Sequence, residues 1–255
     1  MVLRPLILRD TQNPELEITP LARLPALIGK IAPLDGRSVE TLAHIARIIR
    51  ERGLMATTKR GVGAAEMTSR DAANLLIALN GAQHPQEAPE AVQYYRTLPL
   101  TRQSDPGKGY PASAYKVLNA PNFGEALEKL IDIVPVLVKS ARTKHNRLHE
   151  RATLDEFLSA LKKVRCVNVR FEKASAWIAL YDKDMFDNYW VDAQSSFACK
   201  NKQVLAPFRQ RWNDRQVVVE IGLLTLMAVW FALRPSETLA TISEASPAWA
   251  NATSR

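Results

Sequence analysis

The stretch VNVRFEKASAWIALY, residues 167–181, decides the fold class because hydrophobic and polar side chains alternate along most of it. Val167, Val169 and Phe171 alternate with polar residues, and a second alternating run follows. A period of two is typical of strands that bury one face. The intervening residues 173–175 have the length of a hairpin connection. The stretch therefore predicts two antiparallel strands.

The sequence before this hairpin has the 3.6-residue periodicity of helices. Residues 38–53, SVETLAHIARIIRERG, place Leu42, Ile45 and Ile49 on one face, begin at a serine that can cap a helix and end at Gly53. Further helices are predicted for Thr68 to Gly81, Pro89 to Leu98, Phe123 to Ser140 with a kink at Pro135, and from Thr153 onward. Helices followed by an antiparallel hairpin predict an α+β fold.

Composition shifts divide the chain into four regions. Residues 99–120, PLTRQSDPGKGYPASAYKVLNA, are rich in proline, glycine and serine and are predicted to be a linker. We expect a helical, helix-turn-helix-like domain at 1–98. An α+β domain, with helices packed on a small antiparallel sheet, is expected at 121–236, and a loose tail at 237–255.

One apolar run raises the question of a membrane. Residues 217–233, VVVEIGLLTLMAVWFAL, are 17 residues long and contain Glu220. A spanning helix needs about 20 apolar residues, and a carboxylate within it is costly. We therefore expect a strand followed by a buried helix, with no membrane partner. With no signal peptide at the N-terminus and only two cysteines, Cys166 and Cys199, the expected location is the cytoplasm.

Positive charge concentrates in the N-terminal part of the chain. The net charge of the whole chain is +8, and residues 37–70 contain seven lysines and arginines against three glutamates. A basic surface favours an anionic partner, and double-stranded DNA is the expected one. Phosphates are expected to be contacted by Arg47, Arg50, Lys59 and Arg60. The start of the following helix offers Thr68 and Ser69 for phosphates, and Arg70 and Asn74 for base edges.

The sequence shows no strong motif for catalysis, a cofactor or a metal. Gly61-Val62-Gly63 follows a helix and lacks a third glycine, so it does not predict a dinucleotide site. His145 and His149 are spaced for one helix face, but cations surround them and further ligands are missing. An acidic group between strands is best explained as a turn, with a metal-dependent nuclease as the alternative: Asp182, Asp184, Asp187 and Asp192. We expect no catalytic residue, no cofactor and no metal.

Residues 45–81, IARIIRERGLMATTKRGVGAAEMTSRDAANLLIALNG, resemble the N-terminal region of poorly characterised bacteriophage and prophage proteins. A helix, a loop with glycine and arginine, and a second helix recur in those proteins. The segment FGEALEKLIDI, residues 123–133, resembles a segment found further along them. The resemblance covers about half of the chain and implies a phage-type protein that handles or regulates DNA. It implies no catalytic residues.

These observations predict a non-enzymatic DNA-binding protein that acts in transcription regulation or in recognition of DNA for packaging. The C-terminal domain is expected to supply self-association or partner contacts through the apolar surface of residues 217–233. The alternative is an assembly or interaction protein without a nucleic-acid role.

Overall fold

The computed structural model of the protein describes residues 23–56, 66–104, 112–148, 153–161, 167–172, 174–183, 189–199, 218–238 and 241. Within those ranges the helices are α1 Leu24–Asp35, α2 Val39–Glu51, α3 Ser69–Gly81, α4 Ala88–Arg96, α5 Ala112–Leu118, α6 Phe123–Asp132, α7 Val134–Leu148, α8 Leu154–Leu161 and α9 Leu223–Leu233, with a short 3₁₀ turn at Pro85–Glu87. The strands are β1 Leu100–Gln103, β2 Val167–Glu172, β3 Ser175–Lys183, β4 Tyr189–Ala198 and β5 Val219–Gly222.

The five strands form one antiparallel sheet in the order β1-β4-β3-β2-β5. The predicted hairpin is confirmed, because β2 pairs with β3 from Val167 opposite Leu180 to Glu172 opposite Ser175. Val167, Val169 and Phe171 are buried, as the alternation predicts. The α+β fold class predicted from the sequence is therefore confirmed.

An aromatic cluster joins the helices to the sheet: Tyr95, Phe123, Phe171 and Phe197, all fully buried. The ring centroids of Phe123 and Phe171 lie 5.4 Å apart, and those of Tyr95 and Phe171 lie 5.5 Å apart, in edge-to-face geometry. The Tyr95 hydroxyl donates to the backbone carbonyl of Glu172, which satisfies it in the core. Burial raises the pKa of Tyr95, so this hydroxyl stays a donor.

The segment predicted to be a linker contains regular structure. β1 lies at the sheet edge with Leu100 opposite Phe197, and the Thr101 hydroxyl donates to the Ser196 carbonyl at 2.9 Å. Helix α5 buries Ala114, Val117 and Leu118. The expectation for residues 99–120 is corrected accordingly. Proline and glycine mark the connection between two short elements here, and those elements are held by contacts with distant residues.

Both predicted domains contribute to a single hydrophobic cluster. It includes Leu42 and Leu76 from the N-terminal region together with Phe171 and Leu226 from the C-terminal region. Helices α1 and α9, from opposite ends of the described chain, pack on each other. The core of the described residues is therefore continuous across the predicted boundary at residue 98.

Two helix boundaries differ from the sequence prediction. Helix α4 spans Ala88–Arg96, so it ends two residues before Leu98. The single kinked helix predicted from Phe123 is two helices, α6 and α7, with the break at Ile133. Pro135 lies in the first turn of α7, where no intrahelical partner for a backbone N–H is needed, so the proline is compatible with a new helix start.

In the described part of the apolar run, residues 218–233, strand β5 is followed by helix α9, as predicted. Seven residues of α9 are buried: Leu223, Leu226, Met227, Val229, Trp230, Ala232 and Leu233. Most of the apolar surface expected to serve self-association is thus used inside the chain. Within the described residues, no helix combines the length and the apolar character that crossing a bilayer requires.

Replacing either of two helical glycines by alanine is expected to change the stability of the protein in opposite directions. A Cβ at Gly81 would lie 2.7 Å from Cε2 of the fully buried Tyr95, so Gly81→Ala is expected to destabilise the protein by about 1–3 kcal/mol. A Cβ at Gly29 meets nothing within 4 Å, so Gly29→Ala is expected to stabilise α1 by up to about 1 kcal/mol. Urea unfolding measures the change in the free energy of unfolding for each variant, and equal changes in both would contradict the packing argument.

Candidate nucleic-acid interface

The exposed arginines of α2 follow from its amphipathic sequence. Leu42, Ile45 and Ile49 are buried on one side of the helix. Because neighbouring positions on a helix repeat every 3.6 residues, Arg47 and Arg50 fall on other sides, and both are exposed. This part of the predicted site is accessible to a ligand.

Charge along α2 runs from acidic to basic. Glu40 lies in the first turn, where a backbone hydrogen bond and the Ser38 hydroxyl hold the pKa of its carboxyl below the usual value. Arg50 lies in the last turn and Arg52 is the C-cap residue, exposed to solvent. Glu51 lies between these two arginines, so this end of α2 carries a net positive charge, and cations are favourable at a helix C-terminus.

Gly53 ends α2, as predicted. Its φ of +70° lies in the left-handed region that favours glycine. The Gly53 N–H donates to the Arg50 carbonyl at 2.9 Å, and the Leu54 N–H donates to the Ile49 carbonyl at 3.0 Å. These bonds satisfy carbonyls at the helix end and direct the chain into the segment that contacts α3.

Two hydrogen bonds fasten that segment to the start of α3. The Ala56 N–H donates to Asp71 Oδ1 at 2.8 Å. The Asn74 side-chain amide donates to the Leu54 carbonyl. The C-terminal end of α2 and the N-terminal end of α3 therefore lie together, which brings the exposed Arg70 to the same end of the helix pair.

Four exposed arginines lie at the C-terminal part of α2 and the start of α3, and we call them the arginine cluster: Arg47, Arg50, Arg52 and Arg70. Arg47 donates to His44 Nδ1 at 3.0 Å and lies 3.9 Å from a Glu51 carboxylate oxygen, with both ion-pair partners exposed. Exposed ion pairs of this kind contribute little free energy. Binding of a polyanion would therefore lose little by breaking the Arg47 contact.

Arg37, by contrast, has its partners within the protein. Its guanidinium pairs with the Asp35 carboxylate, with 2.7 Å between Nη2 and Oδ2. The same Nη2 donates to the Leu79 carbonyl at 2.7 Å. Part of the positive charge counted over residues 37–70 is thus neutralised locally and does not belong to the surface cluster.

The hydroxyls predicted to meet phosphates have partners inside the protein. Thr68 caps α3: its Oγ1 accepts from the Asp71 N–H at 3.2 Å and donates to Asp71 Oδ2 at 2.7 Å. The half-buried Ser69 donates its hydroxyl to Asp132 at the end of α6. Because the Asp71 carboxylate already occupies the helix N-terminus, Arg70 is the residue of this first turn that remains suited to phosphate.

The structure corrects the assignment of Asn74 as a base reader. Asn74 is only 3% exposed. Its amide group donates to Leu54, and its Oδ1 accepts from Arg96 Nη1 at 2.7 Å. Both ends of the side chain are used in the interior, so Asn74 is not placed to reach a base edge.

The helix-turn-helix-like interpretation of α2 and α3 is corrected for the same reason. A recognition helix presents one side to the major groove. Helix α3 buries every residue from Asp71 to Leu79 and contacts α2, α4, α6 and two strands. It is an internal helix in which Ser69, Arg70 and Asn80 are the residues that are not fully buried.

Several predicted candidates lie wholly or partly outside the described residues. Lys59 and Arg60 are among them, as are His149, Asp184 and Asp187. Asp182 and Asp192 are backbone positions of β3 and β4. Within the described ranges, no group of three or more His, Cys, Asp or Glu side chains is arranged to hold a metal ion.

Sequence reasoning missed a polar network that joins α3, α4 and α6. Arg96 donates to Asn74 through Nη1 and pairs with Glu128 through Nη2, with its side chain 17% exposed. Arg52, one of the seven cations in residues 37–70 but not among the predicted site residues, is exposed at the end of α2. A signal for the interior position of α3 was present, because SRDAANLLIALNG is apolar on nearly all sides.

Comparison of the chain with protein-family models, with curated proteins and with solved structures found no match in any of the three.

The Asn74 network predicts a large loss of stability on truncation. Asn74→Ala removes the hydrogen-bond partner of the Leu54 carbonyl and that of Arg96 Nη1, while the pairing of Arg96 Nη2 with Glu128 remains, so we expect a loss of about 2–4 kcal/mol. The matched control is Asn80→Ala in the same helix, where one hydrogen bond to the Leu76 carbonyl is lost at a half-buried site, for about 1 kcal/mol. Chemical denaturation compares them, and similar losses would contradict the network.

Proposed function

We propose that this chain is a non-enzymatic DNA-binding protein that holds duplex DNA by its phosphates through the arginine cluster. The observation that carries the proposal is that four arginines are exposed at the junction of α2 and α3, while Arg37 and Arg96 are committed to internal partners. Arginine binds phosphate in a bidentate manner and stays charged at any physiological pH. Lys59 and Arg60, which lie between the two helices in the sequence, would add to this site.

The proposal favours phosphate contacts over reading of bases. Asn74 is buried, and α3 offers no side to a groove. Of the two residues expected to meet base edges, Arg70 and Asn74, only Arg70 remains a candidate. Phosphate contacts fix position on the duplex and carry no sequence information, so binding of this kind tolerates many sequences.

The biological setting of the proposal comes from the resemblance to bacteriophage and prophage proteins. Both transcription regulation and recognition of DNA for packaging require a protein that engages duplex DNA without cutting it. An assembly protein without a nucleic-acid role is the alternative. It predicts that affinity for DNA, if any is measured, does not fall with salt through counterion release.

Salt titration of DNA binding tests the proposal. For a duplex of random sequence, the logarithm of the affinity should fall linearly with the logarithm of salt concentration. Replacing two cluster residues in Arg50→Gln/Arg52→Gln should reduce the slope by about 2, since two phosphate contacts are lost. Fluorescence anisotropy at several salt concentrations measures both slopes.

The matched control removes the same charge elsewhere. Arg102 on β1 and Lys116 on α5 are exposed and lie outside the helix pair. Arg102→Gln/Lys116→Gln should leave the slope within experimental error of the unmodified protein. Equal slopes for the two double variants would show that net charge alone is measured, and would reject the arginine cluster as the site.

Lys59 and Arg60 give a separate prediction. Lys59→Ala/Arg60→Ala should weaken binding to all duplex sequences by a similar factor and flatten the salt slope, because such contacts are to phosphates. Mobility-shift titrations with two unrelated duplexes measure this. Unchanged affinity would remove these two residues from the proposed site, and a loss confined to one duplex would argue for base reading.

A further inference from the structure

One carboxylate holds both ends of the chain segment that joins α2 to α3. Asp71 Oδ1 accepts from the Ala56 N–H at 2.8 Å, on the α2 side of that segment. Asp71 Oδ2 accepts from the Thr68 N–H at 3.0 Å and from the Thr68 hydroxyl, on the α3 side. Residues 57–67, which include Lys59 and Arg60, lie between these two attachment points in the sequence.

We propose that Asp71 is a positioning residue for DNA binding: it fixes the spacing between the arginines at the end of α2 and Arg70 at the start of α3. This inference rests on the proposed function. Asp71 is only 5% exposed, so it acts through the residues that it holds and not by touching DNA. Its position directly after Arg70 couples the carboxylate to the cluster.

The arrangement is strong enough to hold the junction. Hydrogen bonds to an ionised acceptor are about twice as strong as neutral ones, and Asp71 accepts several. The bond from Asn74 to the Leu54 carbonyl adds a second attachment on the α2 side. Met55, between Leu54 and Ala56, is buried at 3% exposure, so the segment is packed as well as hydrogen-bonded.

A fixed junction raises affinity because ordering is completed before DNA arrives. If the junction were free, binding would also have to order the segment and its side chains. We expect the loss of this preorganisation to weaken binding roughly tenfold, with the number of phosphate contacts and the salt slope preserved. Removal of a cluster arginine differs, because it reduces the slope.

The experiment compares Asp71→Ala and Asp71→Asn with a control cap, Asn122→Ala. Asn122 caps α6 by accepting from the Glu125 N–H at 2.9 Å, so its loss removes a comparable helix cap away from the junction. Asp71→Asn keeps one acceptor oxygen for Ala56 and provides a milder variant. Two quantities are measured on the full chain: affinity for a random duplex at several salt concentrations, and hydrogen exchange at the Ala56 amide by NMR.

We expect faster exchange at Ala56 and about tenfold weaker binding in Asp71→Ala, intermediate values in Asp71→Asn, and an unchanged salt slope in both. Asn122→Ala should match the unmodified protein in both measurements. Faster exchange without weaker binding, or unchanged exchange at Ala56, would overturn the positioning role and leave the DNA-binding proposal standing. An unmodified protein without salt-dependent affinity would overturn the proposed function and the positioning role together.

Discussion

Helix α3 is enclosed by the rest of the protein from Asp71 to Leu79, so each polar side chain in that stretch needs an internal partner. An unpaired buried donor or acceptor costs about 1–3 kcal/mol, a large fraction of the stability of an ordinary domain. Asp71 takes its donors from Ala56 and the helix cap, and Asn74 bridges to Arg96, which continues to Glu128. These requirements fix the end of α2, the start of α3, and helices α4 and α6 relative to one another.

Helix α4 connects this polar network to the sheet. Arg96 faces the network, while its neighbour Tyr95 enters the aromatic cluster and donates to the Glu172 carbonyl. Tyr94 donates to the Ala174 carbonyl at 3.2 Å, in the turn between β2 and β3. Through three consecutive residues, α4 thus couples the helices that carry the arginine cluster to the hairpin that determines the fold class.

Features set by neighbouring residues could be predicted from the sequence, and features set by distant contacts could not. The caps at Thr68 and Thr153 belong to the first kind, because their partners lie three residues away. Strand β1 was missed because its four residues depend on pairing with residues about 95 positions later. Likewise, no local pattern distinguishes an asparagine that faces water from one that pairs with an arginine 22 positions later, as Asn74 does.

The arginines differ in their partners, and this difference supports the proposed contacts to phosphate. Arg37, Arg96 and Arg170 are each paired with a carboxylate, namely Asp35, Glu128 and Glu220. Each such pair is neutral, so the net charge of +8 must come from the other residues, and the arginine cluster supplies part of it. A site that reads bases in a groove also needs an exposed helix face, and α3 has none because Asp71 to Leu79 are buried. The proposed phosphate contacts need only cations at a fixed spacing, and the hydrogen bonds of Asp71 and Asn74 at the junction of α2 and α3 would fix that spacing.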